Sequence, residues 1–182
     1  MQMIGSTARR LLMGFATSVL LWPGYAAADT FDLLAAGIRG GVNDSRNNEN
    51  FQQYEVFGDF ELPWSWSYDN GWSIGSRLVG SVGVVRAAGD NGALLTLGPG
   101  LDIYHDSGFT FSLGVLPSLL SRSEYGDEDL GGAFYFTSYL GLSYRFGDHF
   151  TLGYRWSHMS NAGISSPNPG LNMNMLVLGY RF

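Results

Sequence analysis

Between Phe31 and Phe182 the sequence alternates apolar and polar residues with a period of two in eight successive stretches. No stretch there holds the roughly 20 consecutive apolar residues that a membrane-crossing helix needs. The alternating stretches fall at about residues 31–42, 51–66, 72–86, 93–106, 109–121, 132–146, 150–161 and 172–182. In the second, Tyr54, Val56, Phe60, Leu62, Trp64 and Trp66 share one parity while Glu55, Asp59 and Glu61 take the other. In the sixth, Phe134, Phe136, Leu140, Leu142, Tyr144 and Phe146 stand against Thr137, Ser143 and Arg145. A strand sends successive side chains to opposite faces, so each stretch predicts a strand with one greasy side. If such a chain crosses a membrane, it does so as a closed barrel, because lipid offers no partner to the unpaired backbone of a sheet edge. An even strand number satisfies that closure.

Which side faces out follows from the size of the residues. The apolar parity carries bulky aromatics and leucines, and the opposite parity carries Gly, Ser and Thr with single charges. Eight strands enclose an interior only wide enough for side chains to fill. Small residues and paired charges suit that interior, and aromatics suit lipid. The sequence therefore predicts an all-β, eight-stranded, antiparallel up-and-down transmembrane β-barrel. Arg39, Arg77, Arg145, Arg155 and Arg181, with Glu55, Asp59 and Glu61, are expected to form a structural ion-pair network in the lumen.

Residues 1–28 read as an export signal: Arg9 and Arg10, then the apolar "LLMGFATSVLLW", then Ala26-Ala27-Ala28 as a small-residue cleavage site. The barrel domain is then 29–182. Without the signal, eight arginines face 16 acids, a net charge of −8, and there is no lysine. That balance speaks against a nucleic-acid partner, which needs clustered cations. The chain has no cysteine, which excludes disulfides, thiolate metal sites and a cysteine nucleophile.

Connection lengths orient the barrel. "SYDNG" at 67–71, "DSG" at 106–108 and "GDH" at 147–149 are short, as periplasmic turns are. "NDSRNNEN" at 43–50, "SRSEYGDEDLGG" at 121–132 and "NAGISSPNPGL" at 161–171 are longer and polar, as extracellular loops are. Trp64, Trp66 and Trp72 gather around one turn as an interfacial aromatic girdle. Glu124, Asp127, Glu128 and Asp129 lack the glycine and final glutamate of a calcium loop and read as solvated acids. Asn43-Asp44-Ser45 matches a glycosylation sequon at chance level.

One stretch breaks the pattern. In "TLGYRWSHMSNAG" the greasy parity of Leu152, Tyr154 and Trp156 continues into His158 and Ser160. With a periplasmic N-terminus the seventh strand runs outward, so both residues fall on the outside of the barrel near the extracellular rim. Residues i and i+2 of a strand lie roughly 7 Å apart at the backbone, and an imidazole can close much of that gap toward a hydroxyl. A general base and a serine nucleophile need that arrangement. The outward parity of the last strand contains Asn172, which the hairpin can bring beside His158 to hold its second ring nitrogen. The following loop offers Asn161 and Asn168 side chains and the Ala162 and Gly163 backbone amides as oxyanion donors. A site so placed faces lipid, and its natural substrate is a lipid ester.

"HMSNAGISSPNPG", with a strand before it and a final strand after it, resembles the signature of the PagL-type lipid A 3-O-deacylases, which are eight-stranded outer-membrane barrels. A weaker likeness runs through the mature chain, including "LPWSWSYDNGW" and the closing strand. The resemblance implies His158 as general base, Ser160 as nucleophile, Asn161 as an oxyanion donor and Asn168 as support. It also implies a glutamate twelve residues after the serine, where this chain has Asn172, and no acid lies between His158 and Phe182. An amide orients a ring but does not offset imidazolium charge, and in a serine protease the acid-to-amide exchange lowers turnover by about 10⁴. Three outcomes are open: a slow enzyme, an amide that suffices in this geometry, or lost activity.

The function so implied is an outer-membrane serine esterase that removes the 3-O-linked acyl chain of lipid A in lipopolysaccharide, with no metal or organic cofactor. Its expected partners are lipid A of the outer leaflet and, through the terminal aromatic of "VLGYRF", the barrel-assembly machinery, and a homodimer is open. The alternatives are a non-catalytic structural or adhesion barrel, or another lipid-modifying barrel such as a phospholipase.

Overall fold

A computed structural model of the chain describes residues 32–44 and 47–182. The expected export signal lies outside the described residues. Eight long strands close on themselves: β1 (Leu33–Asn43), β2 (Gln52–Ser67), β3 (Trp72–Ala87), β4 (Asp90–His105), β5 (Phe109–Leu120), β8 (Phe134–Phe146), β9 (Phe150–Ser160) and β10 (Leu171–Arg181). Each pairs antiparallel with its neighbours in chain order, and β1 pairs with β10 to complete the barrel. At that seam the backbones run very close. A Cβ on Gly41 would stand 1.9 Å from the Asn174 carbonyl oxygen, so only glycine permits the approach.

The parity rule holds around the barrel. Ile38, Val56, Val82, Leu95, Leu140, Leu152 and Leu178 are exposed on the outer wall, where lipid replaces water. The lower interior is polar. The Arg39 guanidinium donates to Glu55 at 2.6 Å and to the Ser81 hydroxyl at 2.9 Å, and Ser81 in turn bonds Glu55 and Thr96. Arg77 pairs with Asp102 at 2.6 Å, and the Arg155 guanidinium lies 3.6 Å from the Tyr139 ring centroid. Glu61 departs from the expected lumen network. It is exposed beside a register shift between β2 and β3, at the short-turn end of the barrel.

The end with the long loops also differs from expectation. The connection from β3 to β4 is a two-residue turn, Ala88 and Gly89, both with positive φ, so β4 starts at Asp90 and not at residue 93. The acidic loop is not simply solvated. It forms a small hairpin, β6 (Glu124–Tyr125) and β7 (Glu128–Asp129). Tyr125 and Leu130 drop from it into the mouth of the barrel, and Tyr125 meets Phe51 edge-on at a ring distance of 5.3 Å. Burial pushes the Tyr125 phenol up to about 12. Glu128 is buried and binds the neighbouring loop, accepting from the Asn48 backbone amide at 2.8 Å.

Candidate active site

β9 carries Trp156, His158 and Ser160 on its outward parity, while Arg155, Ser157 and Met159 are buried inside. In the antiparallel register His158 stands directly opposite Asn172 of β10. The two side chains meet: His158 Nδ1 lies 2.6 Å from Asn172 Oδ1. A carbonyl oxygen only accepts, so Nδ1 carries the proton and donates it. Nε2 is thereby left with its lone pair, the tautomer required to take a proton from a hydroxyl. The ring is held on both sides, by Trp156 stacked at 6.5 Å between ring centroids and by Gly170, where an added Cβ would come 2.9 Å from His158 Cε1. Ser160 shares the parity of His158, and no hydrogen bond joins its hydroxyl to the ring in this structure. Such bonds in unliganded sites are commonly long and tighten on binding.

The loop after β9 is built around Asn161, which is fully buried. Its side-chain amide donates to the carbonyls of Gly131 at 2.8 Å and Pro167 at 3.0 Å, and its Oδ1 accepts from the Gly163 amide at 2.9 Å. Its own backbone N–H donates to Asn168 Oδ1 at 3.0 Å. Asn161 and the Gly163 N–H are therefore occupied in holding the loop together, which differs from the expectation that both are donors to a ligand. The Ala162 N–H and the Asn168 Nδ2 have no such internal partner among the described residues. Ala162 has φ of 53°, a left-handed conformation uncommon for a side chain other than glycine. The Asn161–Gly163 bond and the bond from the Ile164 N–H to the Asn161 carbonyl at 3.0 Å hold it there.

Three contributors were not singled out from the sequence. The Asp44 Oδ2 accepts from Asn172 Nδ2 at 2.9 Å, and the Asp44 backbone N–H donates to the Asn172 carbonyl at 3.2 Å. Asn47 donates to the Gly170 carbonyl at 3.0 Å and so fixes the residue that backs the imidazole. Trp156 was read only as part of the greasy parity, and here it also stacks on the ring. The signal for Asp44 lay in topology: a closed barrel sets the residue after β1 against the first residues of β10.

Comparison with known proteins bears on the family and the fold. The family model described as Lipid A 3-O-deacylase (PagL) matches residues 52–181. The lipid A deacylase PagL of Bordetella bronchiseptica is 28% identical over 141 residues, spanning 68% of this chain and 74% of that protein. Its namesake in Pseudomonas aeruginosa is 29% identical over 124 residues, spanning 62% of this chain and 71% of that protein. The crystal structure of the outer membrane enzyme PagL shares the fold, with a TM-score of 0.69 at 18% identity over 81% of this chain and 99% of the other. With an eight-stranded closed barrel and a family match that runs from β2 to the end of β10, the chain belongs to the PagL family of lipid A 3-O-deacylases.

Proposed function

We propose that the protein is an outer-membrane serine esterase that hydrolyses the 3-O-linked acyl ester of lipid A from the lipid-facing side of the barrel wall. The observation that carries this reading is the 2.6 Å bond between His158 Nδ1 and Asn172 Oδ1, which leaves Nε2 free on the face that also bears Ser160. In the proposed reaction Nε2 takes the Ser160 proton as Oγ bonds to the ester carbonyl carbon. The negative charge on the carbonyl oxygen is met by the Ala162 N–H and the Asn168 side-chain amide, the two of the four expected donors that the loop does not use internally. Collapse breaks the bond to the sugar 3-oxygen, which takes the proton back from the imidazolium and leaves. Water then repeats the sequence on the acyl-serine, with His158 again as base, and releases the fatty acid. Met at the barrel wall, an acyl chain need not leave the hydrocarbon phase to react.

Mass spectra of lipid A from cells with and without the protein provide the test. The expected result is loss of one hydroxyacyl chain on expression and no loss with Ser160→Ala or His158→Ala. Both variants should keep the heat-modifiable gel migration of a folded barrel. Full activity in Ser160→Ala would overturn the assignment.

A further inference from the structure

We infer that Asp44 is a positioning residue for this esterase, acting on His158 through Asn172, so that an aspartate–amide–histidine relay stands where a direct carboxylate–histidine pair would otherwise be required. The inference rests on the reading of His158 and Ser160 as base and nucleophile. Its basis is a row of three side chains across three adjacent strands. β9 presents His158, β10 presents Asn172 directly opposite, and β1 ends at Asn43 opposite Met173, which sets Asp44 against Asn172. Asn172 bridges the row, with Oδ1 on the imidazole at 2.6 Å and Nδ2 on the Asp44 carboxylate at 2.9 Å. It is 6% exposed, so its amide has little water to turn to.

The direction of that amide decides whether the site can work. An asparagine beside a histidine can present either its oxygen or its nitrogen. Presented as nitrogen, it donates to Nδ1, drives the ring proton to Nε2 and leaves no base for the serine. That wrong tautomer is why an acid-to-amide exchange lowers turnover by about 10⁴ in a serine protease. A carboxylate only accepts hydrogen bonds. Asp44 therefore requires the nitrogen of Asn172 on its own side, which turns the oxygen toward His158. In doing so it selects the productive tautomer and polarises the amide oxygen toward the imidazolium that forms in the reaction. The local backbone holds Asp44 in place: its N–H is bonded to the Asn172 carbonyl, and the Asn43 side chain closes the loop behind it through bonds to the Glu49 carbonyl at 3.0 Å and the Phe51 amide at 2.9 Å.

The test is a double-mutant cycle on the full-length barrel, reading kcat and KM for lipopolysaccharide deacylation in detergent. Asp44→Asn can present either end of an amide to Asn172 and should lower kcat by about 10- to 100-fold with KM nearly unchanged, a part of the wrong-tautomer penalty. Asn172→Glu sets a carboxylate directly on His158 and removes the need for an orienting partner. In that background Asp44→Asn should change kcat by less than about threefold, or raise it by relieving two adjacent carboxylates. An equal loss in both backgrounds would make Asp44 a structural tether of its loop and overturn the proposal, as would an unchanged kcat in Asp44→Asn alone. Ser160→Ala, run alongside, separates the two failures: activity there removes the esterase reading itself, whereas inactivity there with a silent Asp44→Asn removes only the relay.

Discussion

At the scale of single residues, the imidazole works within a narrow slot. Gly170 has φ of 73°, which a side chain adopts only with strain, and a Cβ there would lie 2.9 Å from His158 Cε1 and 3.6 Å from Nε2. The ring cannot retreat, because Trp156 stacks on it and Asn172 holds Nδ1. Gly170→Ala should therefore turn Nε2 away from Ser160 and lower kcat by about 10- to 100-fold, since misplacing a reacting group by an ångström has that order of effect. Deacylation rates set beside heat-modifiable migration check this, with migration expected to stay that of a folded barrel. The sequence makes His158, Ser160 and Asn172 legible because all three sit on a parity that should be greasy. Gly170 gives no such signal. A glycine in a polar loop such as "SPNPG" is ordinary turn chemistry, and its role depends on which ring the loop brings to it.

At the scale of elements, strands were readable and loops were not. A strand announces itself through its own neighbours, two residues apart, and the bounds of β2, β5 and β9 fall within a residue of the alternating stretches. The hairpin β6–β7 depends on contacts distant in sequence: Tyr125 on Phe51, Glu128 on Asn48, and Gly131 on Asn161. Charge in "SEYGDEDL" suggested a solvated loop, whereas Tyr125 and Leu130 within it are what bind it to the barrel mouth. This loop and the one after β9 clasp each other tightly. A Cβ on Gly131 would stand 1.7 Å from the Pro167 carbonyl oxygen, and Gly131 has φ of 77°. Gly131→Ala should part the loops, release the Asn161 amide from its two carbonyls and let the Ala162 turn relax. The expected outcome is at least about a tenfold loss of deacylation, the scale on which removing an oriented oxyanion donor acts. Limited proteolysis should then cut within 121–133 or 161–170 in the variant before it cuts the parent, while the strands remain protected.

At the scale of the whole barrel, closure creates relations that no local pattern contains. The bond between Asp44 and Asn172 joins residues 128 apart in sequence, and it exists because β1 and β10 meet. The same closure buries charge: Arg39 of β1 and Glu55 of β2, each 5% exposed, sit in an interior too narrow for bulk water. Their pairing was legible from parity, but its reach to Ser81 and Thr96 required the register of β2, β3 and β4. Breaking such a pair on one side costs about 3–5 kcal/mol because the remaining ion has no counter-charge, whereas exchanging both members for apolar residues of like size is often neutral. Glu55→Ala should accordingly lower the urea midpoint of the refolded barrel strongly, and Arg39→Met with Glu55→Leu should restore most of it. Deacylation by the double variant should match the parent once folded, because the pair points into the lumen while His158 and Ser160 lie on the opposite parity of the wall. A double variant that is stable yet inactive would mean that the lumen network also sets the geometry of the outer face and is a coupled part of the site.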